Sequence, residues 1–233
     1  MITLLGVGHV FDIKRNVEEL IVSRQPTLVC VELDKYRYYA LISDQPREGA
    51  PLIYSMLAKF QENIADKYEV KVGEEMIAAV DSAKKIGASL AFIDMEADQA
   101  FQSIWKKMSF KERIKLLIGA TSGLFVRKKR IEKELKQFEA NSDEYMKAFG
   151  ESFPTIKREL VDNRDRHMAN KIREYSTKFS RIVAVIGDGH IMGINKILSD
   201  LNPEVIRLKD IRAMKPVKKT RTSHVEFSYE YVS

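Results

Sequence analysis

Ile182-Val183-Ala184-Val185-Ile186-Gly187-Asp188-Gly189-His190 decides how the rest of the chain is read. A run of apolar, mostly β-branched residues marks a strand covered on both faces, and two glycines then deliver an imidazole just past its end. The start of the chain repeats the pattern, with Ile2 to Val7 leading through Gly6-Val7-Gly8-His9. Glycines at a strand exit allow positive φ and close backbone approach, and open α/β sheets bind ligands beyond the carboxyl ends of their strands. The repeated G-x-G-H motif therefore predicts that His9 and His190 share one site.

Further apolar runs, Leu28 to Leu33 and Ser89 to Ile93, predict two more buried strands. Between the first strands, Ile13 to Arg24 has helical spacing, with Asp12 as the expected N-cap and Pro26 just past the end. Gly73 to Ile86 reads as a helix leaving through Gly87, and Met192 to Leu198 as a helix before the strand Glu204 to Leu208. This alternation predicts an α/β fold, a mostly parallel sheet with helices on both faces. From 97 to 178 the strand signal gives way to helical text that turns at Pro154 before a last helix, Thr155 to Tyr175, so residues 97–178 read as a helical insertion in one α/β domain spanning 1–233. Residues 225–232 alternate like a half-buried edge strand.

The 233 residues are 45% hydrophobic and 31% charged, a balance that excludes disorder. The sequence shows neither an 18-residue apolar window nor a signal-peptide pattern, and its single cysteine, Cys30, falls inside a core strand; the expectation is a cytoplasmic protein without a membrane span. The net charge of +6 is concentrated around 127–130 and 215–221, without interleaved aromatics, so no nucleic-acid partner is expected. G-x-S-x-G, Walker A, H-E-x-x-H and G-x-G-x-x-G motifs are all missing.

Glu32 closes the second strand and brings a carboxylate to the edge that His9 and His190 occupy. Two imidazoles and a carboxylate are the ligand types of a divalent metal site, and Glu32 can also serve as a general base. Asp34, Asp94 and Asp188 stand at or beyond strand ends, suited to further oxygen ligands, to partners of imidazole N–H groups or to helix caps. Arg37 and Arg164 can hold a substrate carboxylate or an oxyanion, or lock Glu32 or Asp165 in an internal ion pair. His167 and His224 read as surface residues.

Gly6-Val7-Gly8-His9, Pro26 to Asp34 with Arg37, Gly73-Glu74-Glu75-Met76, Ile93-Asp94, Arg164-Asp165 with Met168-Ala169, and Val183 to His190 with Gly193-Ile194 occur in this order. In this the chain resembles the TraB family, which includes pheromone shutdown proteins and is related to the GumN and Tiki proteins. The resemblance implies a fold like that of the erythromycin-esterase and ChaN group, with both G-x-x-H motifs, the glutamate and the arginine at one site. It also implies a metal-dependent hydrolase, of peptidase type, using manganese or cobalt, with zinc as a further option. On that reading His9, Glu32 and His190 are the metal ligands and, with Arg164, the catalytic residues, while Arg37, Asp94 and Asp165 bind substrate. The alternative is a non-catalytic protein that sequesters a peptide or small ligand in the same cleft. A homodimer is expected, through the apolar stretch around Ile114 to Phe125 or the terminal strand.

Overall fold

In a computed structural model of the protein, the structure describes residues 1–8, 11–43, 73–96, 104, 106–115 and 141–214. Its centre is a five-stranded, wholly parallel sheet: β1 (Ile2–Val7), β2 (Leu28–Val31), β3 (Ser89–Phe92), β4 (Ile182–Gly187) and β5 (Glu204–Ile206), in the order β3-β2-β4-β1-β5. The strand in the middle of the sheet, β4, is the one that leads into the second G-x-G-H motif. β4 pairs with β1 on one side, Val7 opposite Gly187, and with β2 on the other, Val31 opposite Val185. β1 and β2 follow each other in sequence but are separated in space by β4.

Strand side chains alternate between two cores, as the twofold repeat of a strand requires. Leu5, Val7, Val29, Val31, Val183 and Val185 pack on one face under α1 (Lys14–Arg24), α2 (Lys35–Ser43) and α3 (Glu74–Ile86). Ile2, Leu4, Leu28, Cys30, Ile182, Ala184 and Ile186 pack on the other. Met168, Ala169, Ile172 and Tyr175 of one helix and Ile191 and Ile194 of another cover that second face. These are α6 (Asn163–Ser176) and α7 (Asp188–Ile197). Cys30 is completely buried there, and burial pushes its thiol pKa well above the usual range.

Before α6 the chain forms α4 (Ser142–Ser152), α5 (Pro154–Lys157) and a π-helical segment, Arg158–Asp162. Pro154 takes a first-turn position of α5, where its missing N–H costs nothing. After β5 follows α8 (Leu208–Ala213). Among the described residues no helix is long and apolar enough to cross a membrane.

Several local expectations are corrected. Asp12 is exposed and does not cap α1: the buried Ile13 takes the N-cap position and offers no side-chain hydrogen bond, so anchoring in the core wins over capping chemistry. α7 begins at Asp188 rather than Met192, which makes Asp188-Gly189-His190 its first turn. Neither Gly187 nor Gly189 uses a positive φ; among the described glycines only Gly73 and Gly87 do. Gly87 ends α3 in a left-handed turn, as read from the sequence. The long helix expected from Thr155 is interrupted by the π segment. The apolar stretch at 116–125, the basic clusters at 127–130 and 215–221, His224 and the strand pattern at 225–232 lie outside the described residues.

Candidate functional site

Residue 32 has the parity of Leu28 and Cys30, so its side chain belongs to the face covered by α6 and α7. The Glu32 N–H still bonds to the Val185 carbonyl and carries the β2–β4 ladder one step further. Glu32 is 5% exposed, and its Oε2 accepts the Gly187 N–H at 2.6 Å. A Cβ at Gly187 would meet that oxygen at 3.2 Å, so the glycine serves close approach of the carboxylate rather than backbone freedom.

Arg164 reaches this carboxylate from α6. Its Nη2 donates to Glu32 Oε1, its Nε to Asp94 Oδ1 at 2.9 Å, and its Nη2 also to Asp94 Oδ2 at 2.6 Å. Nη1 donates to the Leu160 carbonyl at 3.3 Å, inside the π segment, and faces His190 Nε2 at 3.2 Å. π turns shift backbone pairing by one residue and are common beside functional sites. On the outer side Arg37 Nη2 donates to Asp94 and its Nε to Asp34 Oδ2 at 2.9 Å. Asp34 also accepts the Arg37 N–H, doubling as the cap of α2. Six of the expected residues (Glu32, Asp34, Arg37, Asp94, Arg164 and His190) thus form one continuous network beyond β2, β3 and β4. His9 lies outside the described residues.

Asp165 completes the network from beneath, with its Oδ1 at 2.6 Å from His190 Nδ1. A guanidinium can only donate, so its contact with Nε2 calls for a lone pair there and places the neutral ring's proton on Nδ1, donated to Asp165. The imidazole thereby presents a basic nitrogen to Glu32 Oε1, 3.5 Å away, and to Arg164. Asp165 is 5% exposed and turned toward the imidazole, a position for orienting His190 rather than for meeting substrate. Gly193 on α7 makes room for it, since a Cβ there would overlap Asp165 Oδ2.

Electrostatics follow from this packing. Burial pushes the Asp94 carboxyl up, but Arg164, Arg37 and the Met95 N–H override it and hold it at about 2. Burial works against the Arg164 charge, yet Glu32 and Asp94 more than offset it and raise its pKa. Burial raises the Asp165 pKa, opposed by His190. His167, read from the sequence as surface, is half-buried on the face of α6 beside Arg164; burial and then Lys171 lower its pKa, while Asp94 acts the other way. Asp188 belongs elsewhere, bonded to Arg207 and the Leu208 N–H.

The donors Glu32 Oε1 and His190 Nε2 are close enough to share an ion, but the Arg164 guanidinium bonds to one and faces the other. A divalent ion about 2.0–2.2 Å from both would press against a permanent positive charge. Among the described residues no group of three or more His, Cys, Asp or Glu could hold a metal, and the third expected ligand, His9, lies outside them.

A doubly covered parallel sheet with an arginine-linked carboxylate and imidazole cluster at its carboxyl edge defines an α/β protein with a polar site at its strand ends. Residues 1–207 match the TraB/PrgY/gumN family, and the chain belongs to that family. It is 33% identical, over 94% of its length, to an uncharacterized protein of Methanocaldococcus jannaschii, and 25% identical, over 87%, to a mouse TraB domain-containing protein. It covers 59% of the first and 64% of the second, so it spans less than two thirds of the length of these relatives.

Proposed function

We propose that this protein hydrolyses an amide or peptide bond, with His190 as the general base. The observation that carries this reading is the Asp165–His190 pair, in which the Nδ1 proton is held and the Nε2 lone pair is directed at a guanidinium and a second carboxylate. His190 takes a proton from water as the water oxygen bonds to the carbonyl carbon, and the carbonyl π electrons move onto its oxygen. Protonation of Nε2 releases the Arg164 Nη1–H that faced it, and that N–H stabilises the oxyanion, while Asp165 and Glu32 stabilise the imidazolium. Collapse of the tetrahedral intermediate expels the amine, which recovers the proton from His190.

No step here runs through a metal. The reading of His9, Glu32 and His190 as ligands for manganese, cobalt or zinc stands as a competing proposal, in which these three residues would hold an ion that would lower the pKa of its bound water and polarise the carbonyl. A peptide-library cleavage assay, with and without chelator, tests both. Cleavage that survives chelation and falls on the order of 10³-fold in His190→Ala supports the base. Chelation that abolishes cleavage, with recovery on added manganese or cobalt, makes His190 a ligand instead. Tight peptide binding without turnover favours the sequestering alternative. The proposed homodimer is tested by light scattering.

A further inference from the structure

Beside this network a cleft of about 550 Å³ opens between α2 and α6, within the size range of small-ligand sites. Tyr36 and Tyr39 line it, each 61% exposed, an unusual degree for neighbouring aromatic rings on one helix. Its floor includes Asp34 and Asp94, whose charges are already met by Arg37 and Arg164. Two cations also line it, Lys35 before the tyrosines and the half-buried Lys171 on α6. Neither has a hydrogen bond or ion pair among the described residues. Glu96, exposed at the rim, is the remaining carboxylate.

A half-buried lysine without a partner among the described residues, next to two largely exposed tyrosines, calls for an anion carried on an apolar or aromatic body. We propose that this cleft binds the C-terminal carboxylate and last side chain of a short peptide, with Lys171 on the carboxylate and Tyr36 and Tyr39 against the side chain. This deepens the hydrolytic reading and rests on it for the fate of the peptide, because Asp94 joins the cleft to Arg164 and His190. Binding itself does not depend on turnover.

The probe is N-acetyl-L-phenylalanine, titrated by ligand-observed NMR against its primary amide, which has the same ring and no charge. The acid is expected to bind about tenfold more tightly than the amide. Lys171→Met removes that preference, Lys171→Arg keeps it, and Tyr39→Ser weakens acid and amide alike. Circular dichroism confirms that each variant is folded. Equal affinity for acid and amide in the unaltered protein, a preference that persists in Lys171→Met, or no binding of the acid at millimolar concentration would overturn the proposal. Acid-selective binding in a protein that cleaves no peptide would sink the hydrolytic reading and leave the cleft assignment standing.

Discussion

Asp188 and His190 leave the first turn of α7 two residues apart and meet arginines in different ways. Asp188 is gripped by Arg207, with Nε on Oδ1 and Nη2 on Oδ2, each at 2.9 Å, and the Leu208 N–H adds a third bond. Gly6 provides the space, since a Cβ there would overlap Asp188 Oδ1. That arrangement is a two-toothed clamp tying α7 to the start of α8, and Arg207 extends it to Asp143 on α4. His190, by contrast, has its Nδ1 proton committed to Asp165 and a basic nitrogen turned toward a cation. Similar burial holds a charged carboxylate as a fastening in one case and an oriented neutral imidazole, the base of the proposed reaction, in the other. What separates them is how many donors are directed at each: three described donors fix Asp188, and one faces His190 Nε2.

The largest stability effect is expected on the fastening side. Arg207→Met removes both guanidinium donors from the buried Asp188 carboxylate and should cost about 3 kcal/mol by urea denaturation, while activity per folded molecule is retained. Asp188→Asn added to that variant should recover much of the loss. Gly193→Ala sharpens the other side: the new methyl group pushes Asp165 away from His190, at about 1–3 kcal/mol of overpacking. Its activity should drop well beyond the fraction unfolded. If Gly193→Ala instead keeps full turnover, orientation of His190 by Asp165 is not needed.

A smaller effect comes with acid. The Asp94 pKa is depressed on folding from 3.8 to about 2, so its contribution is complete above pH 3.8 and is lost as pH falls through about 2. The size is on the order of 2 kcal/mol. Thermal midpoints followed from pH 5 to pH 2 should fall less steeply in Asp94→Asn than in the unaltered protein. An unchanged slope would mean that the Arg164 pairing survives into the unfolded reference.

Much of the fold was legible in the sequence because its strands are covered on both faces: unbroken runs such as Leu28 to Val31 and Ile182 to Ile186 have few other readings. The insertion of β4 between β1 and β2 was not, since pairing order is decided by tertiary packing and leaves no local mark. That order is what puts His190 beside Glu32. An internal ion pair of Arg164 with Glu32 or Asp165 was legible as one alternative, and Arg164 pairs with Glu32; the contact of Asp165 with His190 was not legible, because nothing in Asn163-Arg164-Asp165 shows which side of α6 meets α7. The glycine at 193 was the available clue, one helix away. The π segment is equally silent, as Glu159, Leu160 and Val161 suit an α-helix just as well.

Cys30 gives the molecule an internal clock. It is the chain's single thiol, sits on β2 between β3 and β4, has no exposed surface, and is kept protonated by its surroundings. Its side chain lies under α6 and α7, so a thiol reagent can mark it only when those helices lift from the sheet or the sheet itself comes apart. The rate of labelling in native buffer therefore counts the openings of this helix-covered layer, one molecule at a time, without denaturant.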